Sequence, residues 1–119
     1  MARILIVDNE PTCLLLSTTM LKRAGHEVLN AVDGAQAIQA ALTHAPDLIL
    51  MDIGMPDVDG ITALKKLRAD PRTAGIKVVA LTAYAITGER ERFLAEGFDG
   101  YLSKPIRYKE FAGQIEAML

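Results

Sequence analysis

Four apolar residues with no polar alternation, Leu48-Ile49-Leu50-Met51, run into Asp52 and stop. The run is long enough for a strand and too short for a helix. A strand apolar on both faces belongs inside a parallel sheet. Pro46 marks its start; Gly54 and Pro56 forbid regular structure beyond it, and Asp59-Gly60 marks a further turn. The chain therefore leaves the core at Asp52. In open α/β sheets ligands bind outside the carboxyl ends of the strands, so Asp52 is the first candidate for a reactive residue.

The flanking sequence supplies the partners such a strand needs. Arg3 to Val7 reads as a first buried strand, ended by Asp8-Asn9. Pro11 suits the first turn of a helix and Gly25 its stop. Between them the best helical phase turns Cys13, Leu16, Ser17, Met20 and Leu21 to the core and leaves Leu14 and Leu15 outside. Glu27 to Ala31 is a second strand, and Asp33 caps a second helix that buries Ala37, Ile38, Ala41 and Leu42 before Pro46 ends it. Gly60 opens a third helix with Ile61, Leu64 and Leu67, closed by Asp70-Pro71. Lys77 to Leu81 is a fourth strand followed at once by Thr82. Thr87-Gly88 opens a fourth helix with Phe93 and Leu94, stopped by Gly97. Gly100 to Ser103 is a fifth strand, and a last helix sets Phe111, Ile115, Met118 and Leu119 on one face.

Five β-then-α units joined by short links predict an α/β fold, a doubly wound five-stranded parallel sheet covered by helices on both faces. A chain of 119 residues has room for one such core, so residues 1–119 are expected to form a single domain. A formal net charge of -2 gives no bulk attraction to nucleic acid or to a membrane surface. No apolar run reaches membrane-spanning length, and Ile4 to Val7 is too short for the core of a signal peptide, so a cytoplasmic location is expected. Cys13 is the sole cysteine and excludes an internal disulfide.

Parallel strands put all their carboxyl ends on one edge. That edge gathers Asp8-Asn9, Asp52, Thr82 and Lys104, which are carboxylates, a hydroxyl and an ammonium. The mixture suits phosphoryl transfer. Asp52 is placed to act as a carboxylate nucleophile, Lys104 as a compact charge for phosphoryl oxygens, and Thr82 as a hydrogen-bond donor. Mg2+ takes oxygen ligands and keeps waters, so one or two carboxylates suffice; the Gly54 carbonyl is a further ligand candidate. His26 and His44 lie away from these strand ends and read as solvated loop or helix-end residues.

On these residues the chain resembles the receiver domains of two-component response regulators. Ile4 to Asp8, Pro46 to Pro56, Asp59-Gly60, Leu81-Thr82-Ala83 and Tyr101 to Pro105 carry the likeness, in order and across the whole chain. The resemblance implies a flavodoxin-like (βα)5 fold with strand order 2-1-3-4-5. It implies that Asp52 accepts phosphate, with Mg2+, from a histidine kinase or a histidine phosphotransfer protein. It further implies that Lys104, Thr82 and Ala83 hold the phosphoryl group, that Thr82 and Tyr101 form a switch pair, and that Lys104-Pro105 is a cis peptide. The domain would then be no enzyme beyond slow self-catalysed dephosphorylation, and would act on an output protein rather than on nucleic acid or membrane directly. Whether the chain stands alone or is the receiver portion of a hybrid histidine kinase is left open.

One position departs from the family. Receiver domains usually carry two adjacent acids after the first strand, and here the pair is Asp8-Asn9. The expected metal set is therefore Asp8, Asn9, Asp52 and Gly54, with one charge fewer. A phosphate-independent binding module, a pseudo-receiver, is the competing reading that Asn9 favours. An Asp-nucleophile phosphatase is disfavoured because Gly54 stands where such enzymes place a second acid. A flavin carrier is disfavoured because the first turn lacks a phosphate-cradling Gly/Ser/Thr loop. Pro11, Leu14 and Leu15, beside the reactive edge, are the expected docking residues for the phosphodonor.

Overall fold

The computed structural model describes residues 2–53, 60–82, 94–103 and 110–119. In chain order the elements are β1 (Arg3–Val7), α1 (Pro11–Arg23), β2 (Glu27–Ala31), α2 (Gly34–His44), β3 (Leu48–Asp52), α3 (Gly60–Ala69), β4 (Lys77–Thr82), β5 (Gly100–Ser103) and α4 (Phe111–Met118). The strands form one sheet in the order β2-β1-β3-β4-β5, parallel throughout. The expected architecture and strand order are both present. The start of the helix expected from Thr87-Gly88 lies outside the described residues, as does Phe93; residues 94–96 are helical and Gly97 follows at a φ of 113°.

Strand alternation divides the core into two layers. Leu5, Val7, Ile49, Met51, Val78 and Ala80 face Ala37 and Ala41 of α2 and Ala63, Leu64 and Leu67 of α3. Ile4, Ile6, Leu48, Leu50, Val79 and Leu81 face Met20 and Leu21 of α1 and Phe111 and Ile115 of α4. Every residue of β3 is buried, as a strand with no polar alternation requires. Each such Leu or Ile contributes about 1.5–3 kcal/mol on burial, which makes β3 the axis of the fold.

Local chemistry sets the element ends. Asp33 caps α2 by accepting from the Gln36 N–H at 2.8 Å, while the Gln36 side chain accepts from the Val32 N–H at 3.0 Å. Pro11 opens α1. His44 is the last residue of α2 and is exposed, as expected.

Five residues depart from expectation. Leu16 is not on the core face of α1 but 40% exposed, whereas Leu14 is half-buried against the core. Ser17, Met20 and Leu21 are buried as expected, the Ser17 hydroxyl donating to the Cys13 carbonyl at 2.7 Å, and at about 100° per residue Leu14 lies nearer the centre of that stripe than Leu16 does. Leu94 is exposed, and Leu119, just past the end of α4, is more than a third exposed. His26 is not solvated; its side chain is 7% exposed, with Nδ1 accepting from the Ala2 N–H at 3.1 Å and Nε2 3.2 Å from Glu116 Oε1.

Candidate functional site

The candidate site is the carboxyl edge of the sheet around β1 and β3. The parallel register pairs Val7 with Met51, so the next residue on each strand, Asp8 and Asp52, stand beside one another. Neighbouring strands lie about 4.8 Å apart. Asp8 is still in the ladder, its N–H donating to the Ala31 carbonyl at 3.0 Å. Its side chain is fully buried, and Oδ1 accepts from the Glu10 N–H at 2.9 Å. That bond is an Asx-type turn; it stops the strand and aims the chain into α1. Asp52 closes β3 and is almost wholly buried. By strand alternation it continues the face of Leu48 and Leu50, toward α1 and α4.

The remaining strand ends continue the edge. β4 places Leu81 beside Asp52, and the Ile53 N–H donates to the Leu81 carbonyl at 3.1 Å, so the ladder runs past Asp52. Thr82 ends β4 and pairs with Ser103, the last residue of β5. Tyr101 lies beside Ala80, two residues before Thr82 along β4, and packs half-buried against the α2/α3 core. Gly54, Ala83 and Lys104 lie outside the described residues. Asn9 is exposed beside Asp8, and Pro11 is exposed at the start of α1. Leu15 is 69% exposed. The structure thus brings together Asp8, Asn9 and Asp52, with Thr82 on the next strand.

The donor set bears on a metal ion. Among the described residues no group of three or more His, Cys, Asp or Glu side chains is arranged for one. Two buried carboxylates side by side nevertheless fit a hard divalent cation that takes one or two carboxylates and completes its shell with water. The same closeness makes the pair mutually repulsive, a cost that a cation offsets.

Sequence reading missed one polar hub altogether. Arg68, in the last turn of α3, bonds to Asp99 just before β5. The two are 31 residues apart and neither belongs to a motif, so only the fold brings them together. No described helix is long and apolar enough to cross a membrane.

Residues 4–116 match the family model described as the response regulator receiver domain. The chain is 40% identical over its full length to the DNA-binding dual master transcriptional regulator RpaA of Synechocystis, of which it spans about half (49%). It is 35% identical over 116 residues to the polar-differentiation response regulator DivK of Brucella anthropi, covering 98% of this chain and 94% of DivK. Among solved structures, the receiver domain of sensor histidine kinase PA1611 from Pseudomonas aeruginosa superposes with a TM-score of 0.88 at 33% identity, covering 98% of this chain and 96% of that one. That structure carries a magnesium ion coordinated in its active site cleft.

Proposed function

The chain belongs to the receiver domains of response regulators in two-component signalling, and from that premise we propose that it is a phospho-accepting switch whose acceptor is Asp52. The observation that carries the reading is the register of β1 on β3, which sets buried Asp8 beside buried Asp52 at the edge where ligands bind in such sheets. A carboxylate oxygen of Asp52 forms a P–O bond as the P–N bond of a phosphohistidine donor breaks, the electron pair staying on the imidazole nitrogen. Asp8, Asp52, Asn9 and the Gly54 carbonyl would hold Mg2+, which would supply positive charge against the phosphoryl oxygens. Lys104, Thr82 and Ala83 would hold the phosphoryl group. The donor is a histidine kinase or a histidine phosphotransfer protein, in keeping with the partners of receiver domains. The protein is not an enzyme in its own right beyond slow loss of its own phosphate.

Phosphate on Asp52 draws on Thr82, and Tyr101 then repacks against the α2/α3 core where it is already half-buried. A half-buried aromatic on an edge strand is a suitable two-state element because inward and outward packings differ by few contacts. The surface beside β5 and α4 is then what an output protein reads.

Incubation with Mg2+ and acetyl phosphate, followed by intact-mass and peptide-level mass spectrometry, tests the proposal. One phosphoryl adduct on Asp52, absent from Asp52→Ala, is the expected result; no adduct, or one elsewhere, sinks it. The second reading, a binding module that works without phosphate, is favoured by exposed Asn9 in place of a third acid. An adduct that forms only in Asn9→Asp would select it.

A further inference from the structure

We propose that Arg68 and Asp99 form a brace that fixes the position of β5 on β4, and so sets where the chain leaves β5 at the reactive edge. The second half of this rests on the reading of Asp52 and Lys104 given above. β5 is the element that most needs such a device. It has four residues, lies at the edge of the sheet and pairs with β4 alone. Its own pattern is weak: Leu102 is buried, Tyr101 is half-buried and Gly100 has no side chain. Short strands with little apolar pattern specify register poorly, and a slip of one residue turns every side chain to the other face. It also shifts the strand end by about 3.3 Å.

The polar contacts converge at the start of β5. The Asp99 N–H donates to the Val78 carbonyl at 2.7 Å, and Asp99 Oδ2 accepts the Val78 N–H at 2.8 Å. One residue thus answers both backbone groups of Val78, one position before Val79 pairs with Gly100. Arg68 Nη2 donates to the same Oδ2 at 2.7 Å and to the Gly97 carbonyl at 3.1 Å. Its Nη1 donates to the carbonyls of Ala74 and Ile76 at 2.9 and 2.6 Å. A single guanidinium therefore ties the end of α3, the approach to β4 and the approach to β5. A lysine ammonium has no such fork and cannot span the four acceptors.

Apolar contacts also act here. Phe98 is buried one residue earlier, and a Cβ on Gly100 would meet Met118 Sδ at 3.1 Å, so that position resists a larger residue. These contacts resist gross displacement. They do not fix which oxygen meets the Val78 N–H, and that is what Asp99 does.

The test uses Asp99→Ala, Arg68→Met and Arg68→Lys, which all leave Phe98 and Gly100 in place. Amide hydrogen exchange is measured strand by strand, together with the rate of phosphoryl loading from acetyl phosphate. Asp99→Ala and Arg68→Met should speed exchange in β5 by about tenfold relative to β1 and β3. Loading of Asp52 should fall by about tenfold as β5 loses its place. Arg68→Lys should resemble Arg68→Met, whereas Asp99→Asn, which keeps an acceptor for Val78, should lie nearer the parent. Exchange rising in step across all strands would mean a merely global loss of stability and would overturn the brace. So would unchanged β5 exchange, or fast β5 exchange with undiminished loading. If the parent takes no phosphate, the reading of Asp52 fails, and β5 exchange alone decides whether the brace exists.

Discussion

Leu14 and Leu15 are neighbours on α1 with opposite surroundings: Leu14 packs against the core while Leu15 is 69% exposed. Leu15→Ser should change stability by no more than about 0.5 kcal/mol yet slow phosphotransfer from the cognate donor, if this face is where the donor docks. Leu14→Ser should cost about 1–2 kcal/mol through lost burial. Chemical denaturation of both variants beside a transfer assay checks this; a Leu15 variant with normal transfer removes Leu15 from the docking surface. A second residue-level expectation concerns pH. The Arg72 side chain, donating to Asp70 through Nε at 3.2 Å and Nη2 at 2.8 Å, holds the Asp70 carboxyl below its ordinary 3.8, and the Arg72 N–H adds to the effect. The folded chain therefore binds this proton less readily than the unfolded one. The contribution is present above the ordinary carboxylate value and is lost as pH falls through the lowered folded value. The pair stands in water, so salt weakens it. Arg72→Ala should move the NMR titration of the Asp70 carboxyl upward and leave stability near neutral pH almost unchanged; an unmoved titration would show that Arg72 does not set it.

At the scale of elements, α2 ends at a cost. Ala45, whose N–H still donates to the Ala41 carbonyl, takes a left-handed conformation with φ 46° as the chain turns into β3. An alanine side chain is strained there and a glycine is not. Ala45→Gly should therefore raise stability by about 0.5–1 kcal/mol, the relief of strain exceeding the added freedom of the unfolded chain. A fall in the thermal midpoint would show that the Ala45 methyl contributes more by packing than its backbone costs. Pro46 was readable as the end of α2, but the left-handed residue before it was not, because no glycine marks the spot. The strands were readable for the opposite reason. Leu48 to Met51 and Ile4 to Val7 are apolar without interruption, and only burial on both faces accounts for that. The phase of α1 was misread at Leu16 because a helix with Leu at three consecutive positions leaves its apolar face ambiguous. Ser17, bonded within its own helix, is buried at the core position expected of it. Asp8 and Asp52 were legible because each ends an apolar run; the Arg68–Asp99 brace was not, because it exists only once β4 and β5 are side by side.

For the molecule as a whole, the charge at the reactive edge links metal binding to stability. Asp8 and Asp52 are its buried carboxylates among the described residues, and Asn9 adds an oxygen without a charge. Two unit charges about 4 Å apart interact by roughly 4 kcal/mol at an effective dielectric of about 20. A divalent ion feels about twice that, and desolvation offsets much of it. Asn9→Asp adds a third carboxylate to the edge, partly exposed to water, so the effect should be a fraction of these figures. Without metal the added charge repels its two neighbours, and the variant should melt below the parent. With metal the order of response reverses. The variant binds Mg2+ more tightly, and a ligand that binds only the folded state stabilises in proportion to the logarithm of its concentration over Kd. Tenfold tighter binding is worth about 1.4 kcal/mol once both proteins are saturated. Thermal melts across a Mg2+ series should therefore show a steeper rise for Asn9→Asp from a lower start, with the curves converging or crossing. Removal of Mg2+ by a chelator should restore the gap. An equal or larger Mg2+-dependent rise in the parent would mean that Asn9, with Glu10 or water beside it, binds the ion as well as an acid does, and that the missing charge is no handicap to phosphorylation.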